Sequence, residues 1–227
     1  MGKIVYNEYD IERYGKLLND YYMKGEKLYS GAYIMASGKT AFGQERKFMN
    51  HLMLIDYMMK DNITKKIVYS RSLEEVYHLL LTYPTIGTFL AYQYAIDINY
   101  SELIDFNEME FVVAGPGAKA GIRKCFSNSE EYSKEYIIKY MCEHQEEEFE
   151  RLGLKFKTLW GRKLQLIDCQ NIFCETDKYS RVKHPDIIDR DCRTRIKQKY
   201  RINKEKINYF YPPKWGINNK MTKGLWE

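Results

Sequence analysis

Residues 79–121 read LLLTYPTIGTFLAYQYAIDINYSELIDFNEMEFVVAGPGAKAG, and the rest of the chain is interpreted outward from them. Upstream, Leu73, Val76, Tyr77, Leu80 and Leu81 recur at helical spacing behind a capping-box pair, Ser72 and Glu75. The helix breaks at Tyr83-Pro84-Thr85-Ile86-Gly87 and a second helix is expected over 88–98. A helical hairpin of this kind turns backbone N–H groups outward, so Thr85, Gly87 and Thr88 are candidates to hold a DNA phosphate. Next comes an acidic segment with Asp105, Asn107, Glu108 and Glu110, then the loop Gly115-Pro116-Gly117. Proline at a helix start suits a plain turn. The cations Lys119, Arg123 and Lys124 directly after it favour an anion pocket at that helix N-terminus.

The 227 residues include 30% charged and 15% aromatic side chains, with 21 tyrosines, a globular composition rather than a disordered one. No apolar run approaches the roughly eighteen residues of a membrane span, and the polar start MGKIVYNEYD is no signal peptide, so a cytoplasmic protein is expected. Cysteines 125, 142, 169, 174 and 192 form no CxxC pair, and the four histidines show no metal-ligand spacing. Neither a metal nor a cofactor is implied. Gly38-Lys39-Thr40 resembles the end of a phosphate-binding loop, but the upstream glycine is missing and no clear strand precedes it, so a nucleotide-kinase site is rejected. The net charge is +5, and Arg181–Lys206 carries ten Lys/Arg against four Asp/Glu. That local excess of six leaves the remainder near −1, which places the positive field toward the C-terminus.

Helices are expected over 8–24, over 44–60 with Phe48, Leu52, Ile55 and Met59 on the buried face, over 130–151 as one long acidic helix, and over 163–182. Ala32–Ala36 reads as a short strand or a connector. On the 163–182 helix, Asp168, Asn171, Glu175, Lys178 and Arg181 make a polar stripe amid apolar flanks, which suggests a pocket wall that reads a polar base. Arg193, Arg195, Lys197 and Lys199, with the tail Tyr209-Phe210-Tyr211-Pro212-Pro213-Lys214-Trp215, suggest a DNA-backbone surface with aromatics for stacking. The fold class is mainly α: one unit over 1–227 of two helical lobes, with an N-terminal helix and loop (1–44), a core (45–215) and a basic, aromatic arm (190–227).

The hairpin Tyr83–Ala91 with its acidic sequel resembles the core of the helix-hairpin-helix DNA glycosylase superfamily. Thr85 stands at the first hairpin glycine position, and Gly87 keeps the second. Three further segments sharpen the likeness: FVVAGPGA (111–118), LIDCQNIFCETDKY (166–179) and PPKW (212–215). Together they resemble the glycosylase-related family of hypermodified phage DNA, which includes α-glutamyl/putrescinyl thymine pyrophosphorylases and the helical domain of 5-hydroxymethyluracil DNA kinases. The resemblance covers roughly 45–215 and adds Gln170 to the pocket residues.

The resemblance implies a helix-hairpin-helix glycosylase-like fold and double-stranded DNA with modified bases as partner; no protein partner is evident. It implies Glu108 as the carboxylate that stabilises an oxocarbenium-like sugar, with Asn107, Glu110 and Asp105 beside it. Bifunctional relatives carry a Schiff-base lysine where this chain has Phe89, so monofunctional base excision, in phage defence, is the primary expectation. Two other readings stand beside it: a transferase or pyrophosphorylase-like enzyme acting on 5-hydroxymethyl-pyrimidine, and a non-enzymatic DNA-binding module.

Overall fold

A computed structural model of the chain describes residues 5–31, 33–188, 194, 202 and 208–221. Its described residues are mainly helical, with ten α-helices and a single isolated bridge, Leu159 to Arg162, in place of a sheet. The chain divides into two compact units, residues 1–71 with 75–91 and residues 72–74 with 92–227. No helix among the described residues is long and apolar enough to cross a membrane.

In the first unit, helix α1 (Ile11–Met23) starts where the Asp10 carboxylate accepts the N–H groups of Glu12 and Arg13. Gly15 lets α1 approach α3 (Lys47–Lys60), because a Cβ there would meet Met49 Sδ at 2.7 Å. Helix α3 buries Phe48, Leu52 and Leu54, together with the polar pair Asn50 and His51. The expected face is rotated, and Ile55 is exposed. The reason lies in the preceding loop: Asn50 bonds the backbone of Ser37 and Gln44, and His51 bonds Tyr29 Oη and Ala36 O, both at 2.8 Å. These two side chains bind the Gly25–Gly43 loop onto the first half of α3. Within that loop, 33–38 is a connector rather than a strand, and Gly38 caps the short α2 (Lys39–Phe42). Helix α4 (Ile63–Val68) buries Ile63 and Ile67.

Helix α5 (Leu73–Leu81) buries Leu73, Val76, Tyr77 and Leu80 as its spacing dictates, and α6 (Thr88–Asn99) follows the turn. The turn pairs Ile86 N–H with Tyr83 O and puts Thr85 at φ +70°. Proline second and a left-handed residue third is the pattern of a type II turn, which favours glycine at its third place. The structure therefore gives the left-handed conformation to the threonine; Gly87 does not adopt it.

In the second unit, α7 (Pro116–Cys125) and α10 (Leu166–Lys183) pack at close range. A Cβ on Gly121 would stand 1.9 Å from the Phe173 carbonyl oxygen, and one on Gly117 would stand 2.4 Å from Cys174 Sγ. Between the same helices lies a buried ion pair, Lys124 Nζ to Asp177 Oδ1 at 2.9 Å. The single long helix expected over 130–151 is instead a 3₁₀ turn (Ser129–Glu131), α8 (Lys134–Glu143) and α9 (Gln145–Arg151). Ser133 caps α8 by accepting Tyr136 N–H. At the other break, His144 leaves helical geometry, and the Gln145 side chain bonds Cys142 O and Leu164 O instead of facing solvent.

Candidate active site

Apart from the buried Lys124–Asp177 pair, the second unit gathers a cluster of weakly exposed charge where three separate segments meet. The first follows α6. Asn99, fully buried, donates to Phe106 O at 3.0 Å and accepts Phe106 N–H at 2.8 Å, so the chain folds back on the helix end. That bond pair sets the course of Asp105–Glu110. The second segment is a tight turn in which Trp160 and Gly161 both have positive φ and Arg162 N–H reaches Leu159 O. It delivers Arg162 just before α10, whose first turn is fixed by a capping box between Gln165 and Asp168. The third is the tail at 208–221, closed on itself by two hydrogen bonds between Asn218 and the Tyr211 backbone.

Arg162 joins them. Its Nη2 lies 2.7 Å from Glu108 Oε2, its Nη1 lies 3.3 Å from Asp168 Oδ2, and the guanidinium rests 3.8 Å over the Trp215 ring. The Trp215 indole N–H donates to the other Glu108 oxygen at 3.0 Å. Lys214 beside it pins the tail to Asp105 and to Ile104 O. The Arg162 and Glu108 side chains are only 12% and 11% exposed, so these interactions form in a poorly solvated place. Tyr100 stands edge-on to Trp215. Burial, followed by the charges of Glu108 and Asp168, pushes the Tyr100 phenol well above its ordinary pKa, and Tyr92 is raised by burial, Tyr100, Glu108 and Asp168. Both stay protonated donors at physiological pH.

Asp168 differs from Glu108 in one respect. Its Oδ2 takes both Arg162 and the Gln165 N–H, while Oδ1 makes no hydrogen bond among the described residues. It also lines an open groove of about 540 Å³ along α10, with Leu164, Asn171, Ile172, Glu175 and Tyr179.

The expected residues are thus partly assembled. Glu108 and Asp168 share Arg162, and Asp168, Asn171 and Glu175 share the groove. Asn107 and Glu110 are exposed and bond to each other. Gln170 is buried and accepts the Gly115 N–H; Lys178 pairs with Glu175, and Arg181 with Asp177. The Gly115-Pro116-Gly117 loop is accounted for by packing: one N–H is spent on Gln170, and Gly117 abuts α10, while Lys119 is exposed and Arg123 half-buried. Thr85, Gly87 and Thr88 belong to the first unit. Arg193, Arg195, Lys197 and Lys199 lie outside the described residues. Of the tail aromatics, Tyr211 and Trp215 pack inward, whereas Tyr209 and Phe210 are exposed. Among the described residues no group of three His, Cys, Asp or Glu could hold a metal ion. Sequence reasoning gave no role to Arg162, Tyr92 or Tyr100; a non-glycine before Gly161 in a two-residue turn was the only local hint.

Residues 1–189 match the family described as "5-hmdU DNA kinase, helical domain". The chain belongs to that family. A 5-hmdU DNA kinase of Bacillus phage SP10 is 27% identical to it, over 76% of this chain and 29% of the phage protein. The chain therefore spans less than a third of the curated relative it matches. No solved structure matches. The helical-domain match includes Tyr92, Tyr100, Glu108, Arg162 and Asp168 and ends before Trp215.

Proposed function

We propose that this chain engages DNA carrying a 5-hydroxymethyl-pyrimidine and acts on it as a transferase, installing a group at the hydroxymethyl oxygen rather than removing the base. Membership of the kinase helical-domain family supports the substrate. The observation that carries the role is Asp168: one oxygen held by Arg162 and Gln165 N–H, the other without a hydrogen bond among the described residues, on the wall of an open groove. A carboxylate so oriented is suited to general-base work. It accepts the hydroxymethyl proton as that oxygen bonds to the transferred group and the remainder of the donor departs. Glu108, engaged at both oxygens, is read as the residue that orients Arg162; the sequence-based excision reading requires it open to a sugar.

The test is nucleoside mass spectrometry of 5-hydroxymethyluracil DNA after incubation with the protein and a nucleoside triphosphate. A mass gain on that nucleoside is expected, and Asp168→Asn should reduce it by about a hundredfold or more. Release of the free base, leaving abasic sites, would return the assignment to base excision and contradict the transferase.

A further inference from the structure

Asn171 lies one helical turn beyond Asp168 on α10, and both side chains line the open groove. A chain of hydrogen bonds fixes which end of the Asn171 amide is left for a ligand. It begins at Gly115, whose backbone N–H can only donate, so the Gln170 atom 3.3 Å away is the carbonyl oxygen Oε1. Gln170 is buried, and with Oε1 so engaged its Nε2 faces Asn171. Nε2 in turn can only donate, and it lies 2.7 Å from Asn171 Oδ1. The Asn171 oxygen is therefore spent on the protein. Its exposed amide nitrogen, with no hydrogen bond among the described residues, is the end that remains. Asp168 offers the opposite chemistry, an acceptor at Oδ1. Side chains three apart on a helix are neighbours, so the groove wall sets a free acceptor beside a fixed donor.

We propose that Asn171 is a specificity-determining residue that selects 5-hydroxymethyluracil over 5-hydroxymethylcytosine. This rests on the substrate reading above, in which Asp168 meets the hydroxymethyl group. The C5 substituent and ring position 4 are adjacent on one edge of a pyrimidine, so the side chain next to Asp168 meets position 4. Uracil carries the O4 carbonyl there, an acceptor, and cytosine carries the N4 amino group, a donor. The Asn171 donor pairs with the first and faces the second donor to donor. Turning the amide over to suit cytosine would set its nitrogen against Gln170 Nε2 and leave that buried donor unpaired. Discrimination that leaves polar groups unpaired is stronger than discrimination by size alone.

The test is equilibrium affinity for three duplexes that differ at one position, which carries 5-hydroxymethyluracil, 5-hydroxymethylcytosine or thymine. The wild-type protein should bind the 5-hydroxymethyluracil duplex about tenfold more tightly than the 5-hydroxymethylcytosine one. Asn171→Asp keeps an oxygen for Gln170 and turns an acceptor outward at an exposed position, and should reverse that order. The ratio between duplexes is the readout, because an added negative charge weakens binding of all three alike. Asn171→Ala should bring the two hydroxymethyl duplexes level. Equal wild-type affinity for those two, or a preference that Asn171→Asp leaves intact, would overturn the proposal while the substrate reading stands. Wild-type affinity no higher for either hydroxymethyl duplex than for the thymine duplex would defeat the substrate reading and this inference with it.

Discussion

The Tyr83–Thr88 turn and the Glu108–Arg162–Asp168 cluster handle polar and conformational cost in opposite ways. In the turn, a β-branched residue sits at φ +70° and its hydroxyl is buried without a partner among the described residues. In the cluster, Glu108 is satisfied at both oxygens and Arg162 is bracketed by two carboxylates and an indole, of which Glu108 and Trp215 come from distant parts of the sequence and Asp168 lies six residues on. The first is local strain that neighbouring structure must hold in place, of the order of 1–3 kcal/mol. The second is a cooperative network that stands or falls together. Strain can be relieved by one substitution, whereas a network is damaged by one.

The largest expected effect follows from breaking the network. Arg162→Met leaves the poorly solvated Glu108 carboxylate without its cation and strips the more exposed Asp168 of the same partner, and should cost about 3 kcal/mol by chemical denaturation. A loss below roughly 1 kcal/mol, the worth of a surface ion pair, would show the cluster to be solvated in solution. The turn should respond in the opposite direction and by less. Thr85→Gly removes both the left-handed strain and the orphaned hydroxyl, partly offset by glycine's extra freedom when unfolded, and should raise stability by about 1 kcal/mol. Destabilisation by that substitution would mean that the Thr85 side chain contributes packing that outweighs its strain.

The same contrast explains what the sequence revealed. The turn is written in consecutive residues: Pro84 and the restart at Thr88 are local chemistry, so the hairpin was legible, whereas Thr85 was marked only by the resemblance, at a hairpin glycine position, and its left-handed conformation is a finding of the structure. Helix α10 was equally plain from its periodicity; of its expected stripe, Asp168, Asn171 and Glu175 line a groove, whereas Lys178 and Arg181 are not among its lining residues. Arg162 was not legible, because nothing within ten residues of it predicts a carboxylate fifty-four positions earlier or an indole in the tail. The PPKW segment was marked by resemblance alone; its inward-facing Trp215 is a tertiary fact. Gly117 and Gly121 show the converse hazard. A glycine-rich helix start followed by cations suggested an anion pocket, yet those glycines let α7 and α10 touch, a need set by a helix some fifty residues away. The split of 130–151 into α8 and α9 also came from non-local bonding, through Gln145 to Leu164.

The central claim is that the modified base engages the second unit, at the groove beside Asp168. It is tested most directly by photocrosslinking the protein to a duplex with one photoreactive pyrimidine at the modified position, then mapping the attached peptide by mass spectrometry. The account predicts attachment within residues 164–179, at the α10 groove. Attachment confined to residues 73–88, at the hairpin, would contradict it.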